Sequence, residues 1–356
     1  MHLEALTAFF LESTMLGIWI FGWNRLSERT HCIVIWLTAF ASNLSAFWIL
    51  VANSFMQHPV GYVLNNGRAE MEDFGALLTN HYLIGEFSHT FFSAVATAGF
   101  LVIAVSAWKV LHDTSSRYAF RQTLKAGAIY MFIGLLGAMG SGHMHTQYLA
   151  EANPMKLASM EALWETEDPA PFAVYANINE DAHKNDTELT IPSLFSFMLY
   201  NKPTGEVKGI NALQEELAQE YGPGDYRPDV TGLFYSFRLM VGLGGLMLLI
   251  AFVTFLVSWK KDPSDYPLLM RAIPWLFPIV FIVNSCGWYI AEGGRQPWIV
   301  VGLQKTAAAV SPNLTAGDVW ITMIGFTAVY LALAIVALML AFGYIRKHHI
   351  LSKRGN

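Results

Sequence analysis

The sequence predicts an all-α membrane protein: a polytopic helix bundle of about seven transmembrane helices with one long extracytoplasmic loop. Three observations carry this. The 356 residues are 54% hydrophobic and 14% charged, against about 25% charged in an average soluble domain. Apolar runs of about 20 residues recur, each long enough to cross a hydrocarbon core of about 30 Å. No strand-like alternation shows within them, and a helix satisfies its own backbone in lipid.

Composition also excludes several classes. A net charge of −5 does not suggest a nucleic-acid binder. The two cysteines, Cys32 and Cys286, lie in or beside apolar runs and form no disulfide framework. No CxxCH occurs, so any haem is held without covalent attachment. The first residues lack a basic segment and read as part of a span, not a signal peptide.

The spans are expected at 3–23, 31–56, 80–108, 122–141, 229–258, 270–292 and 318–345. They divide the chain into 1–141 with four helices, a polar, acidic loop over 142–228, and 229–356 with three helices and a tail. The first span holds Glu4 and Glu12. Eight residues make about two turns, so the acids share one side, about 12 Å apart. A proton path fits them, and so does packing through hydrogen bonds. Ser42, Asn43, Ser45 and Asn53 in the second span extend a polar track or act as interhelical glue. The third span carries Glu86 and His89, and the fifth carries Arg238 and Met240. His89 and Met240 each lie about ten residues from the outer end, about 15 Å deep. At equal depth on two helices, they suit the axial positions of one iron. A core histidine with Met as filler fits equally. The sixth span ends in GWYIAEGGRQPW (287–298). Here Gly293 and Gly294 permit a turn, Arg295 is expected at the outer interface, and Trp298 in an aromatic belt. Trp288 shares a face with Glu292. The stretch reads either as an anchored helix end with a Glu292–Arg295 pair, or as a carboxylate ligand with an arginine for an anionic cofactor group.

Orientation follows from Lys and Arg. Thirteen of the 22 basic residues fall beside the ends that follow spans one, three, five and seven. That side is expected to be cytoplasmic. The long loop then faces outward and the C-terminus inward, as an odd number of spans requires.

Six stretches, taken together, resemble subunit I of cytochrome bd quinol oxidases: EALTAFFLEST (4–14), SNLSAFWILVANSFMQHP (42–59), EFSHT (86–90), KLASMEALWET (156–166), FRLM (237–240) and GWYIAEGGRQPW (287–298). They occur in the family's order across nearly the whole chain. The resemblance implies a multi-pass protein of a bacterial or archaeal cytoplasmic membrane, working with subunit II, membrane quinol and molecular oxygen. It implies low-spin and high-spin haem b, and haem d or a third haem b. His89 and Met240 look like the ligands of low-spin haem b, and Glu292 like that of high-spin haem b. Arg238 and Arg295 look like haem-propionate partners, and Trp288 packs near the haems. Glu4 looks like the acid at the oxygen site and Glu12 like part of the proton route. Lys156 and Glu161 match the quinol-oxidation residues of the outward loop. Quinol is then oxidised outside and oxygen reduced to water with protons from inside, so charge is separated without a pump. The family carries nine helices in this subunit. The resemblance places the start of this chain at the third, without the N-terminal pair that carries a further haem-ligating histidine. Two other readings stay open on the residues: a membrane b-type cytochrome that only carries electrons, and a proton-coupled transporter.

Overall fold

Caps and helix breakers set the element order in this computed structural model, which describes residues 5–260 and 262–354, with side chains over 7–260 and 262–343. A π-helical segment, Ala5–Phe9, leads into α1, Phe10–Phe21. Ser27 caps α2, Glu28–Gln57, by accepting the Thr30 N–H at 3.3 Å. A hairpin of β1, Tyr62–Asn65, and β2, Arg68–Met71, precedes the short α3, Phe74–Leu78, and the long α4, His81–His112. Helix α5 covers Arg117–Ala152, and Asn153 then caps α6, Pro154–Glu161, with proline in the first turn. A second hairpin follows, β3 (Phe172–Asn179) with β4 (Lys184–Ile191). Next come α7, Leu194–Tyr200, and α8, Ile210–Tyr221. The chain continues with α9, Val230–Lys260, α10, Pro267–Leu276, and α11, Ile279–Gly293. A third hairpin, β5 (Trp298–Val300) with β6 (Gln304–Lys305), leads to α12, Ala316–Arg354.

Six of the expected spans appear as segments long and apolar enough to cross a membrane: Glu28–Gln57, Phe74–His112, Arg117–Ala152, Val230–Lys260, Pro267–Gly293 and Ala316–Gly343. The run expected at 3–23 is an apolar helix that is shorter over its described residues, Thr7–Phe21. Two further details differ from expectation. The helix that carries the fourth span continues past 141. Nothing breaks α5 until Asn153 and Pro154, so it runs on into the supposed loop. The sixth span is interrupted between Leu276 and Ile279. Pro278 has no N–H to offer Pro274, and its ring crowds that carbonyl.

The chain divides into two compact units. The first comprises Met1–Val95, Ile133–Gly244 and Ile282–Lys305. Its core gathers on the segment between α5 and α9. Helix α6 is buried from Met155 to Glu161. One side packs Leu157 and Met160 with Tyr82, Phe195, Leu233, Phe237 and Ile290. The other packs Met155 and Ala158 with Trp164, Ile210, Val230 and Phe234. The second unit comprises Ala96–Phe132, Gly245–Phe281 and Thr306–Asn356. There α4 and α5 meet closely, because a Cβ on Gly99 would lie 2.5 Å from the Met131 nitrogen. Small residues serve this purpose between membrane helices. Ser106 and Thr123 hydrogen-bond across the same pair at 2.8 Å. The described side chains of α12 are exposed throughout.

Candidate functional site

Helix α6 carries two buried ionisable groups and gives each a different set of partners. Lys156 is 2% exposed. Its Nζ donates to Tyr82 Oη at 3.1 Å, the Ala291 carbonyl at 3.2 Å and Gln57 Oε1 at 3.4 Å. Burial pulls its ammonium down to about 8, the nearby Glu86 working against that shift. The aliphatic part of Lys156 passes over Gly294, where a Cβ would fall 2.7 Å from its Cγ and 2.6 Å from the Ile290 carbonyl. At the other end of α6, Glu161 is buried and accepts Arg238 Nη2 at 2.6 Å. Burial pushes its carboxyl up to about 7, and the adjacent guanidinium partly offsets this. Arg238 also donates to the Met160 carbonyl at 2.7 Å and from Nε to the Ala173 carbonyl at 2.9 Å. Its guanidinium lies 3.9 Å from the Phe234 ring centroid. It is therefore committed to protein acceptors around the end of α6.

Below Lys156 the polar contacts continue along α2. Gln57 Nε2 donates to the Ala291 carbonyl at 2.9 Å and to Asn53 Oδ1 at 3.3 Å. Asn53 donates to Glu292 Oε1 at 2.6 Å, and Arg295 donates to the other oxygen of Glu292. Ser42, further down α2, donates to Glu12 Oε1 at 2.6 Å. Ser42 and Asn53 are eleven residues apart, about three turns, so one face of α2 grips both acids. Lys156, Glu292 and Arg295 thus meet in one network, while Glu161 and Arg238 form a separate pair. Glu4 lies outside the described residues.

Two residues expected at the outer interface are buried against the protein itself. Arg295 is 4% exposed, and its Nε and Nη1 have no partner among the described residues. Trp298 is not part of an exposed belt. It packs in the first unit against Tyr226 and Tyr221, with centroids at 5.8 and 4.9 Å. The hairpin after α11 turns it against the segment between α5 and α9. Trp288 remains half exposed.

The residues fit a haem on three counts. His89 Nδ1 lies 2.9 Å from the Ala138 carbonyl. A carbonyl only accepts, so Nδ1 holds the proton and Nε2 keeps its lone pair for a metal. Gly142 leaves room beside that ring, since a Cβ there would approach it to 3.0 Å. Arg295 offers buried, unfilled donors beside Glu292, which an anionic propionate would satisfy. Met240 packs on the core of the first unit, and its sulfur faces Gly287, where a Cβ would lie 3.5 Å away.

Residues 1–349 match the family model for cytochrome bd terminal oxidase subunit I. This chain belongs to that family. It is 44% identical over 349 residues to cytochrome bd ubiquinol oxidase subunit 1 of Bacillus subtilis (strain 168), covering 97% of this chain and 73% of that one. It is 31% identical to cytochrome bd-II ubiquinol oxidase subunit 1 of Escherichia coli (strain K12), over 97% of this chain and 78% of the relative. The bd oxidase structure from Geobacillus thermodenitrificans matches with a TM-score of 0.84 at 27% identity, covering 97% of this chain and 77% of that chain. The chain is thus a membrane-integral, haem-binding subunit of a terminal quinol oxidase, and the numbering of its relatives as subunit 1 implies a second subunit.

Sequence reasoning did not find Gln57 and Tyr82 as partners of Lys156. Gln57 left a trace, because it stands one turn beyond Asn53 at the end of an apolar run. Tyr82 left none.

Proposed function

We propose that quinol is oxidised at α6, with Glu161 taking up a quinol proton and Lys156 holding the head group. Quinol gives up two electrons and two protons on the outward side. The protons for reducing oxygen to water come from the inward side along acids such as Glu12, with Glu4 the acid at the oxygen site. Charge is separated across the membrane with no pumping step. The observation that carries this reading is the pair of buried ionisable groups on one short helix, each tied to its own polar partners. Such a placement is costly in apolar surroundings and suits proton transfer.

His89 and Met240 would hold low-spin haem b, Glu292 would ligate high-spin haem b, and haem d or a third haem b completes the set. Arg295 would hold a propionate, and Trp288 would pack near the haems. Arg238 is better suited to positioning Glu161, given its present acceptors. When bound, the haems supply one-electron transfer to oxygen. The protein's part is to ligate through Nε2, sulfur and carboxylate, and to keep the Nδ1 proton of His89 on the Ala138 carbonyl. The basic ends of the spans support a loop on the outside and a C-terminus in the cytoplasm. Subunit II, membrane quinol, oxygen and the bilayer are the partners.

The test uses membranes holding the chain with its partner subunit. A reduced-minus-oxidised spectrum should show haem b and a second haem type or a third haem b. Glu161→Gln should slow quinol-dependent oxygen uptake by about 10²-fold, in the range of lost general bases, with the spectrum intact. Normal turnover in that variant would remove Glu161 from the reaction.

A further inference from the structure

In the second unit, the end of α4 and the start of α10 border an open cavity of about 300 Å³, lined by Trp108, His112, Met270, Arg271 and Trp275. The two helix ends belong to the basic side of the chain. Among the described residues no carboxylate pairs with Arg271. His112 Nδ1 lies 2.8 Å from the Trp108 carbonyl, so that nitrogen is the donor and Nε2 is left for another partner. The His112 ring stacks on Trp108 at 4.7 Å, and Lys109 Nζ lies 5.5 Å from the Trp108 centroid. Trp275 is 86% exposed and Leu268 81%. Apolar surface therefore continues outward from the cavity along α10.

We propose that this cavity binds the headgroup of an anionic phospholipid, with its acyl chains lying along Trp275 and Leu268. A free anion would use Arg271 and His112 but leave the tryptophan and methionine walls without a role. A zwitterionic lipid brings the phosphate but also a cation into a site that already holds Arg271, with Lys109 close by. An anionic lipid pairs with the exposed guanidinium of Arg271 and covers the aromatic walls together. Basic pockets between helices on the cytoplasmic side are the setting in which such lipids bind.

The test uses the haem-loaded two-subunit complex, stripped of lipid and reconstituted with phosphatidylglycerol, with phosphatidylcholine, or in detergent with inorganic phosphate. Native mass spectrometry counts retained lipid, and thermal unfolding reports its effect. The wild type should retain phosphatidylglycerol in preference to phosphatidylcholine. Arg271→Gln should lose that preference by about fivefold, the effect of one basic residue at a charged bilayer. Arg271→Lys should keep most of it. A photocrosslinker replacing Trp275 should capture lipid. Equal retention of the two lipids by the wild type needs no variant to fold, and it overturns the proposal. So does an undiminished preference in Arg271→Gln. Protection by inorganic phosphate alone would make the site one for a free anion, and capture of subunit II from position 275 would make it a subunit contact. Either result overturns the lipid assignment.

Discussion

If Glu161 is the base proposed for quinol, its pair with Arg238 sets a pH dependence. Burial raises the Glu161 carboxyl to about 7, and Arg238 is the main influence holding it down. A base works only when ionised. Quinol oxidation should therefore rise with pH through about 7 and level off above it. Removing the cation removes the lowering influence, so Arg238→Gln should move that limb to higher pH. Glu161→Gln should abolish the limb altogether. The pH profile of kcat/KM for quinol checks both, and a limb unmoved in Arg238→Gln would show that the pair does not set it. Gly294 offers a steric counterpart. Its added Cβ would meet the Ile290 carbonyl at 2.6 Å and Lys156 Cγ at 2.7 Å. The carbonyl cannot yield cheaply, so Gly294→Ala should destabilise by about 1–3 kcal/mol, the range for overpacking. It should also displace Lys156 and weaken quinol turnover, read by thermal unfolding and steady-state kinetics. The sequence showed a glycine pair suited to a turn. It did not show that a lysine stem from 138 residues earlier crosses one of them, because nothing local encodes that approach.

Helix α2 is the element that connects the acids. Its Ser42, Asn53 and Gln57 donate to Glu12, Glu292 and the Ala291 carbonyl. The expectation of a polar track along this span was legible because Ser and Asn stand out in an apolar run. Which acid each would meet was not, since that depends on helix pairing. Asn53→Leu conserves volume and removes the donor to Glu292. The spectrum of that variant should lose the component missing in Glu292→Ala and keep the component missing in His89→Ala. Loss of the His89-dependent component instead would place Asn53 in the wrong site. Helix α6 carries the opposite lesson. It lies in a polar, acidic stretch that reads as surface loop, yet all of Met155–Glu161 is buried. Its flanks are marked by Asn153 and Pro154, a readable start signal. Its burial was not readable, because the surfaces that cover it come from distant segments such as Tyr82, Phe195 and Ile290. The same cause hid the burial of Arg295 and Trp298.

For the molecule as a whole, the direction of quinol chemistry depends on which side α6 faces. The apolar runs marked the spans from length and composition alone, because lipid demands about 20 apolar residues whatever the fold. The side assignment rests on Lys and Arg. Thirteen of 22 basic residues lie at the ends assigned to the cytoplasm, and the acidic loop lies opposite. With that orientation, protons released near Glu161 leave on the outer side, while those consumed with oxygen are drawn from within. Impermeant thiol labelling in intact cells tests this directly. Cys32 is exposed and Cys286 partly so, so both are first changed to Ser. Lys202, between α7 and α8, and Thr114, between α4 and α5, are exposed and receive single cysteines. Lys202→Cys should react in intact cells, whereas Thr114→Cys should react only after the membrane is permeabilised. The reverse pattern would turn the protein over. Quinol protons would then be released where oxygen consumes them, and the charge separation proposed for this oxidase would vanish.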